Sequence, residues 1–521
     1  MPLPPQSPPA RAIMVLGTSS HAGKTTVAAA ICRSLFRKGY RVAPFKAQNM
    51  SLNSWVTPEG AEIGRAQALQ ARAAGIEPHA DMNPILLKPA GGQVMQVVAL
   101  GKPIGVVSGR EYYRRKAEMR SLVHAAYDRL ASRFEVVVLE GAGSPAEINL
   151  RAEDLVNLSM AEHAGARCFL VADIERGGVF ASILGTLSLI EPRHRSLIAG
   201  VLINKFRGDE SLLDSGIREI QSLTGVPVLG VLPYLEGLVL EEEDSQGLRD
   251  SEVQGEARID IVVIRFPFLS NFTDFQPFIG KKGVRLRYVD QAESVGNPDF
   301  IILPGSKNVR LDADFLRSKG LDRVLSAAAE RGIPLFGICG GFQILGKRIR
   351  DPFGIEGEPG ETEGLGLLAI ETVLEKEKEV SRVDAENVGL PFLDSDAVCT
   401  GYEIHMGRTE SLEEAAHASD ANTRQSLQPV LRLLRKNGAV CEGFSGFKSL
   451  SQPVSGCYLH GLFDRPEVLQ ALFRWLSSRK GLDWTDSHPS PADAGNRAEP
   501  DELERIADWL ESRFDPATHL R

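Results

Sequence analysis

Leu335-Phe-Gly-Ile-Cys339-Gly-Gly-Phe-Gln-Ile-Leu-Gly346 has the pattern of a short apolar strand, a tight turn at a cysteine and the start of a helix. The spacing Gly337-x-Cys339-x-Gly341 has the form of a nucleophile elbow, in which small flanking residues permit the sharp turn that lifts a nucleophile above a sheet. The positive end of the following helix favours the thiolate, the reactive form of cysteine. A free cysteine is also commonly a small buried apolar residue, so a partner base must decide between the two interpretations.

The base that this cysteine requires is predicted at His460, in Gly456-Cys-Tyr-Leu-His460, where a strand-like run ends in a histidine followed by glycine. A cysteine followed about 120 residues later by a histidine fits acyl transfer from a small amide. His405, in Gly401-Tyr-Glu-Ile-His405-Met-Gly407, also ends a short strand beside glycine and is the competing base. We favour His460 and expect His405 to be a structural or acceptor-side residue.

With these residues, the segment 259–480 resembles a class I glutamine amidotransferase domain. The resemblance implies that the cysteine forms a thioester with glutamine and that ammonia is released. It also implies an oxyanion hole, with one backbone amide from Gly340 and another from the turn that contains Gly305 and Ser306. In most such domains a glutamate follows the histidine two positions later, but Leu462 stands there in this chain. The third member of the triad is therefore open.

The composition limits the class of protein and its partners. The chain has 521 residues, which exceeds one ordinary core, so two domains are expected. With 43% hydrophobic and 24% charged residues it is typical of globular proteins. The 59 basic and 68 acidic residues give a net charge of -9, which argues against nucleic acid as a general partner.

Cysteine usage and the N-terminal segment indicate a cytoplasmic protein. The cysteines are scattered, without a CxxC pair or metal-ligand spacing, as is typical of reduced thiols. The six are Cys32, Cys168, Cys339, Cys399, Cys441 and Cys457. The segment 1–10 is rich in proline and lacks the features of a signal peptide, so we interpret it as a disordered leader. No stretch approaches the roughly eighteen uninterrupted apolar residues of a membrane helix, so no membrane partner is expected.

A phosphate-binding loop follows the first predicted strand, Ile13-Met-Val-Leu16. In Gly17-Thr-Ser-Ser-His-Ala-Gly23-Lys24-Thr25-Thr26 the glycines let backbone amides wrap an anion, and the lysine adds a positive charge. Five residues separate the two glycines where four are usual, and this variant resembles the dethiobiotin synthetase-like branch of P-loop proteins. The candidate nucleotide-binding residues of this loop are Gly17, Thr18, Gly23, Lys24, Thr25 and Thr26.

The rest of this half alternates strands with helical stretches, which predicts a parallel sheet covered on both faces. The strands are predicted at 41–45, 136–139, 168–171, 200–203 and 228–232. Because ligands bind at the carboxyl ends of such strands, Glu140 and Asp173 are candidate Mg²⁺ ligands together with the Thr25 hydroxyl. Asn204, at the end of another strand, either reads a nucleotide base edge or caps a helix; both interpretations are open.

Three stretches have too many polar groups and glycines for simple packing: Lys46-Ala-Gln-Asn-Met-Ser-Leu-Asn-Ser54, Glu62-Ile-Gly-Arg-Ala-Gln67 and Glu140-Gly-Ala-Gly-Ser-Pro-Ala-Glu-Ile-Asn149. Together with Ala172-Asp-Ile-Glu-Arg-Gly-Gly-Val-Phe180, they closely resemble the cobyric acid synthase family. The likeness extends over nearly the whole chain. It includes the strand, loop and helix of the phosphate site as well as the cysteine elbow.

The family resemblance implies amidation of the b, d, e and g carboxylates of (adenosyl)cobyrinic acid a,c-diamide to cobyric acid, in cobalamin biosynthesis. ATP, Mg²⁺ and glutamine as nitrogen donor are implied with it, and a corrinoid is the implied small-molecule partner. The polar side chains of the first two stretches are candidate substrate contacts. They are Lys46, Gln48, Asn49, Asn53, Arg65 and Gln67.

The predicted architecture is α/β, with two domains that each hold a mainly parallel sheet flanked by helices. We expect the leader at 1–10, an ATP-binding domain at 11–235, a linker at 236–258 and the amidotransferase domain at 259–480. A polar tail at 481–521 ends in an amphipathic helix, which we expect to pack on this chain. The segments 375–397 and 412–428 are predicted to be surface insertions.

Two other functions fit parts of the sequence. The related synthase that amidates the a and c carboxylates of cobyrinic acid would perform two amidations rather than four. Outside enzymes, the phosphate-loop half would be an ATPase switch that binds partners, joined to a decayed amidotransferase domain. That hypothesis requires Cys339 to be dispensable, and the combination of elbow, base and oxyanion turn argues against it.

Overall fold

The computed structural model describes residues 10–91, 93–151, 154–235, 257–412, 426–484 and 502–520 of the chain. The predicted leader lies outside these residues except for residue 10, and the predicted linker except for residues 257 and 258. Most of the second predicted insertion, 413–425, also lies outside them. We refer to residues 10–235 as the N-terminal half and to residues 257–484 as the C-terminal half.

The N-terminal half is built on six parallel strands, as predicted. In spatial order they are Val228–Pro233, Ile198–Phe206, Arg167–Asp173, Arg11–Gly17, Val136–Glu140 and Val42–Phe45. Alternate residues of the central strand enter two different cores, with Met14 and Leu16 in one and Ile13 and Val15 in the other. The sheet is therefore buried on both faces, which explains why its strands are continuous apolar runs.

Helices cover this sheet, and the smaller strands form two separate sheets. The helices are Lys24–Arg37, Arg65–Ala73, Gly109–Arg114, Lys116–Ala131, Leu158–Ala164, Val179–Leu189, Pro192–Arg195 and Asp214–Thr224, with 3₁₀ turns at Ala80–Met82 and Glu210–Leu213. A four-stranded sheet contains Gln48–Met50, Ile85–Pro89, Val94–Ala99 and Lys102–Ser108, and Ser54–Val56 pairs with Glu62–Gly64. Two of the polar stretches singled out in the sequence thus form short strands.

The C-terminal half has a twelve-stranded sheet whose first part is parallel. Its parallel strands are, in spatial order, Val284–Val289, Ile259–Ile264, Phe300–Leu303, Leu335–Ile338 and Val454–Cys457. The remaining strands, mostly antiparallel, are Phe444–Ser449, Leu427–Lys436, Ala439–Val440, Ile370–Asn387, Val398–Ser411, Arg348–Asp351 and Gly360–Glu363. This antiparallel extension was not predicted.

The prediction that 375–397 is a surface insertion is wrong. The strand Ile370–Asn387 runs through most of that segment and pairs with three other strands. Its sequence is rich in glutamate and lysine because buried and accessible residues alternate along much of its length. The charged residues at the accessible positions of this strand were therefore interpreted as a solvated loop.

The other elements of the C-terminal half position the elbow. Its helices are Ala292–Val295, Val309–Ser318, Leu321–Glu330, Gly340–Leu345 and Pro466–Arg479, with 3₁₀ turns at Phe272–Phe278 and Leu462–Asp464. The two-residue strands Leu269–Ser270 and Gly305–Ser306 pair with each other. None of the helices in the described residues is both long and apolar enough to cross a membrane.

The last helix of the structure, Glu502–Glu511, returns to the N-terminal half and packs on the helix Lys24–Arg37. It is followed by the 3₁₀ turn Pro516–His519. Its apolar face enters the same core as the phosphate-loop helix. Arg37 pairs with Asp508 at 2.6 Å on the exposed side of this contact. Residues far apart in sequence thus complete one face of the first sheet.

Candidate active site

The cysteine elbow has the strained backbone that the sequence pattern predicts. Cys339 has φ of 50° and ψ of -107° between the strand Leu335–Ile338 and the helix Gly340–Leu345. Such a positive φ is uncommon for a residue with a side chain. A Cβ added to Gly337 would lie 2.6 Å from the backbone nitrogen of Phe342, and one added to Gly341 would overlap the carbonyl oxygen of Leu303. Both glycines are therefore required by close packing.

The structure supplies a carboxylate partner for His460 from a segment that the sequence interpretation missed. Nδ1 of His460 lies 2.7 Å from Oδ2 of Asp274, and the other carboxylate oxygen accepts from the backbone amide of Gly461 at 2.9 Å. Asp274 belongs to the 3₁₀ turn Phe272–Phe278. Leu462, at the usual position of the third triad member, is instead buried in the core.

Two neighbours of His460 raise the pKa of its imidazole and so make it a stronger base. Burial lowers the pKa of this imidazole, but the Asp274 carboxylate and the Cys339 sulfur outweigh that effect and raise its pKa to about 10. A histidine of this kind readily takes the proton of a nearby thiol. Cys339, His460 and Asp274 thus have the chemistry of a nucleophile, a base and the group that orients the base.

His405 lies beside the elbow but has a different environment. Its Nδ1 donates to the carbonyl oxygen of Gly407 at 2.7 Å, and its ring stacks on Tyr458 at a centroid distance of 3.7 Å. Burial lowers its pKa. The geometry favours His460 over His405 as the base, because the paired carboxylate of the triad belongs to His460.

The predicted oxyanion turn lies against the elbow. A Cβ on Gly340 would be 2.7 Å from the backbone nitrogen of Ser306, and one on Gly305 would be 2.9 Å from Cε1 of His460. The Ser306 hydroxyl donates to Asp312 at 2.5 Å, and burial raises the pKa of that carboxyl to about 7. The structure therefore brings Gly340, Gly305 and Ser306 together at the nucleophile.

A small cavity of about 50 Å³ opens at Cys339 and is lined by residues from both halves of the chain. Its lining includes His405 and Lys378 from the C-terminal half and Lys88 from the N-terminal half. Both lysines are buried and pair with Glu62, Lys88 at 2.7 Å and Lys378 at 2.5 Å. The cysteine thus faces a space between the halves, and this ionic cluster was not predicted from the sequence.

The phosphate loop has a conformation suited to anion binding. Gly23 has φ of 99°, a left-handed conformation that favours glycine. Nζ of Lys24 donates to the carbonyl oxygens of Ser19 and Gly143 at 3.0 Å each. Thr18 donates its backbone amide to Val171, and Gly17 ends the central strand while Thr26 lies in the first turn of the following helix. The predicted loop residues therefore converge at the carboxyl edge of the sheet.

Two of the three candidate metal ligands meet at this loop. The Thr25 hydroxyl donates to Oε1 of Glu140 at 2.9 Å, and Lys46 and Gln70 also contact that carboxylate. A hydroxyl beside a carboxylate fits Mg²⁺, which prefers oxygen ligands and commonly takes the others from water and phosphates. No group of three or more His, Cys, Asp and Glu side chains placed to hold a metal occurs in the part of the chain that the structure describes.

Asp173 and Asn204 lie at neighbouring strand ends. Asp173 pairs with Lys205 at 2.9 Å. The side-chain amide of Asn204 donates to the carbonyl oxygen of Ala22 at 2.9 Å, and its Oδ1 accepts from the amide of Lys205. Asn204 thus stabilises the phosphate loop through its hydrogen bond to the backbone of Ala22. A role in reading the base stays a prediction, as does the role of Asp173 at the metal.

The candidate substrate residues form a largely buried polar network next to the phosphate loop. Lys46 pairs with Glu140 at 2.8 Å, and Asn49 donates to Gln67 at 3.0 Å. Gln48 accepts from the Tyr112 hydroxyl, and Asn53 is also buried. Nε2 of Gln67 is buried without a hydrogen-bond partner in the described residues, which is compatible with a ligand or water at this place.

Arg65, the remaining candidate, lies between the two halves. Nη1 donates to the Tyr402 hydroxyl at 3.2 Å, and Nη2 contacts Asp464 at 2.9 Å. Tyr402 in turn stacks on His460 at a centroid distance of 5.3 Å. The structure therefore places Arg65 next to Tyr402, the residue that stacks on His460, and the contact of Arg65 with substrate stays a prediction.

A phosphate loop on a parallel sheet, joined to a Cys-His-Asp site in a second α/β layer, defines an ATP-dependent, glutamine-hydrolysing amidotransferase. Residues 13–248 match the CobQ/CobB/MinD/ParA nucleotide binding domain, and residues 260–468 match the CobB/CobQ-like glutamine amidotransferase domain. The chain belongs to the cobyric acid synthase family.

Three relatives illustrate how far the similarity extends. The cobyric acid synthase of Desulforudis audaxviator is 47% identical over 513 residues, which are 97% of this chain and 97% of the relative. That of Yersinia enterocolitica is 46% identical over 476 residues, 90% of each chain. That of Pelotomaculum thermopropionicum is 45% identical over 477 residues, 91% of this chain and 89% of the relative.

Proposed function

We propose that this protein converts (adenosyl)cobyrinic acid a,c-diamide to cobyric acid by amidating the b, d, e and g carboxylates with ATP and glutamine. The observation that carries the proposal is the pairing of an intact phosphate loop with a Cys-His-Asp site in one chain that is similar to cobyric acid synthases over about nine-tenths of its length. The decayed-domain alternative does not explain why elbow, base, carboxylate and oxyanion turn are all present.

In the C-terminal half, Cys339 attacks the side-chain amide of glutamine. His460 takes the thiol proton and returns it to the departing ammonia, while Asp274 holds the imidazole by its Nδ1. The backbone amides near Gly340 and Ser306 are close enough to the nucleophile to stabilise the negative oxygen of the tetrahedral intermediate. Water then hydrolyses the thioester with the same imidazole as base.

In the N-terminal half, a carboxylate of the corrinoid attacks the γ-phosphorus of ATP, ADP leaves, and an acyl phosphate forms. Ammonia replaces the phosphate and gives the amide. Lys24 and the loop amides neutralise charge on the transferred group. Mg²⁺, held by Thr25 and Glu140, would supply further charge neutralisation to the phosphates. Asp173 is proposed as an additional ligand, direct or through water.

The corrinoid is proposed to contact the network of Lys46, Asn49 and Gln67 next to the phosphate loop. The buried Nε2 of Gln67 supports this placement. We also infer a cytoplasmic location, and the support for it is that all six cysteines are free thiols. Nucleic acid and membranes have no place in this reaction.

The experiment that tests the proposal is mass spectrometry of cobyrinic acid a,c-diamide incubated with the purified protein, ATP, Mg²⁺ and glutamine. Each acid-to-amide conversion lowers the mass by about one dalton, and four successive decreases are expected. Amidation of cobyrinic acid itself at two positions would support the a,c-diamide synthase instead. An unchanged corrinoid together with continued glutamine hydrolysis would refute the proposed acceptor but keep the amidotransferase class.

A further inference from the structure

Asn271 connects the N-terminal half directly to the catalytic base. Its Oδ1 accepts from the backbone amide of Ser54 at 2.9 Å, and its own backbone amide donates to Leu52 at 3.4 Å. Its Nδ2 lies 3.1 Å from Nε2 of His460. Asn271 is buried, so solvent does not compete for these bonds.

The contact with Ser54 fixes the direction of the bond to His460. A backbone N–H only donates, so the side-chain oxygen of Asn271 must face Ser54 and its NH₂ group must face the imidazole. Nε2 of His460 therefore accepts, and the ring proton lies on Nδ1 toward Asp274. The lone pair engaged by Asn271 is the one that must accept the proton of Cys339.

The thiol is also engaged elsewhere in this arrangement. Sγ of Cys339 donates to the carbonyl oxygen of Ile404 at 3.4 Å. Nucleophile and base thus each have another hydrogen-bond partner, although Asp274 and Cys339 both favour a protonated His460. His460 is a strong base, but the lone pair on its Nε2 already accepts a hydrogen bond from Asn271.

The segment 46–54, which binds Asn271, also contacts the phosphate-loop site. Ser54 ends the nine-residue stretch that begins at Lys46, and Nζ of Lys46 lies 2.8 Å from Oε1 of Glu140. The same carboxylate oxygen accepts from the hydroxyl of Thr25 in the phosphate loop. A rearrangement at Glu140 is therefore connected to Asn271 through one short segment of chain.

We propose that Asn271 is a positioning residue that couples glutamine hydrolysis to the phosphate loop, by occupying Nε2 of His460 until a shift of the segment 46–54 releases it. On release the proton of Cys339 moves from Sγ to Nε2, which leaves a thiolate and an imidazolium that donates from Nδ1 to Asp274. No further reactant is needed. The inference rests on the proposed function, because it assumes that the ammonia feeds an ATP-dependent step.

Several other groups face the imidazole and set its titration. Asp274 lies at Nδ1, Cys339 and Asn271 lie toward Nε2, and Tyr402 stacks on the ring. Behind Tyr402 are Arg65 and Asp464. Tyr402 also connects His460 to the N-terminal half, through backbone bonds to His460 and its hydroxyl bond to Arg65, whereas Asn271 bonds the imidazole itself.

The decisive variants are Asn271→Gly and Asn271→Asp. Asn271 has φ of 51°, which glycine adopts without strain, so Asn271→Gly removes the side-chain amide and spares the backbone. Asn271→Asp keeps one oxygen that accepts from the backbone amide of Ser54. Its other carboxylate oxygen faces Nε2 of His460 and, because it only accepts, favours the imidazolium. The matched control is Arg382→Gln, which removes an exposed ion pair with Glu77 between the same halves at 3.2 Å.

Glutamate release is measured without nucleotide, with ATP and Mg²⁺, and with both plus cobyrinic acid a,c-diamide. We expect wild type and Arg382→Gln to be stimulated about tenfold or more by the complete mixture. Asn271→Gly should be about tenfold faster than wild type without nucleotide and lose the stimulation. An unstimulated wild type, an unchanged stimulation ratio in Asn271→Gly, or a folded Asn271→Gly without glutaminase would each overturn the proposal.

Alkylation of Cys339 by iodoacetamide provides a second readout that a purely structural role would not change. The rate at pH 7 without nucleotide should rise from wild type to Asn271→Gly and further to Asn271→Asp. Equal rates would overturn the inference. Neither alkylation nor glutaminase requires amidation of the corrinoid, so coupling without amidation would refute the proposed acceptor and leave this inference standing.

Discussion

At the scale of single residues, the proposed task of Cys339 is to obtain ammonia from glutamine. We expect Cys339→Ala to lower glutamine-supported amidation by about 10³-fold or more, because no other group forms the thioester. Activity with ammonium salts should persist, since the phosphate loop is untouched. Amide formation is measured with each nitrogen donor. Glutamine-supported activity at the wild-type level would exclude Cys339, whereas Lys24→Ala should lose activity with both donors.

Asp274 is expected to act only through His460. Asp274→Asn removes the charge that holds the imidazole in its working tautomer, so glutamate release should fall by about 10²- to 10⁴-fold. Ammonium-supported amidation should remain within about twofold of wild type and serves as the internal control. If the variant kept full glutaminase activity, Cys339 and His460 would form a catalytic dyad that does not need Asp274.

Residues with local signals were predictable, and those defined by distant contacts were not. Cys339 and the phosphate loop are marked by glycines within a few positions. Asp274 contacts a histidine 186 residues away, and nothing near His460 in the sequence indicates it. One signal was present: Phe272, Phe275 and Phe278 recur every three residues, as in a 3₁₀ turn, with two polar residues in the same register. Asn271 and Asp274 are that polar pair.

At the scale of elements, the elbow depends on its glycines. Gly341→Ala would push a methyl group into the carbonyl oxygen of Leu303. We expect it to reduce glutaminase by about 10²-fold, because a misplaced nucleophile loses its alignment, and to lower the melting temperature. The matched control is Gly185→Ala, in the helix Val179–Leu189, where the new methyl group meets open space. That change should be neutral or stabilise by about 1 kcal/mol.

Most parallel strands of both halves were predictable because they are buried on both faces and are apolar, although the edge strand Val284–Val289 carries two arginines. The strand Ile370–Asn387 was not, because its accessible face carries the charges of a soluble surface. Register with its neighbours, rather than its own composition, makes it a strand. Its mixed pattern belongs to the half-exposed, antiparallel part of the sheet.

At the scale of the molecule, the buried cluster of Glu62, Lys88 and Lys378 holds the two halves together. Glu62→Ala would leave the buried side chains of Lys88 and Lys378 without their carboxylate partner, and we expect a loss of about 3–5 kcal/mol in unfolding free energy. Denaturant titration measures it. Arg382→Gln, which breaks an exposed pair between the halves, should cost less than about 1 kcal/mol. Equal effects of both variants would show that burial of the cluster contributes nothing.

The domain boundaries and the roles of the site residues stay predictions, although the two α/β layers and the family are established. The contacts between the halves were beyond prediction, because the stretches 46–54 and 62–67 carry no sign of which surface they face. Their proposed contacts with the substrate stay a prediction. In the structure these two stretches lie between the phosphate-loop site and the residues around His460.

The helix Glu502–Glu511 has a further consequence for how the protein is made on the ribosome. Domains generally fold in order of synthesis, but Ile506, Leu510 and Phe514 belong to a core face of the N-terminal half. That face stays uncovered in the nascent chain until after the amidotransferase half has emerged. The half that consumes ATP is thus completed last, when the half that supplies its ammonia is already in place.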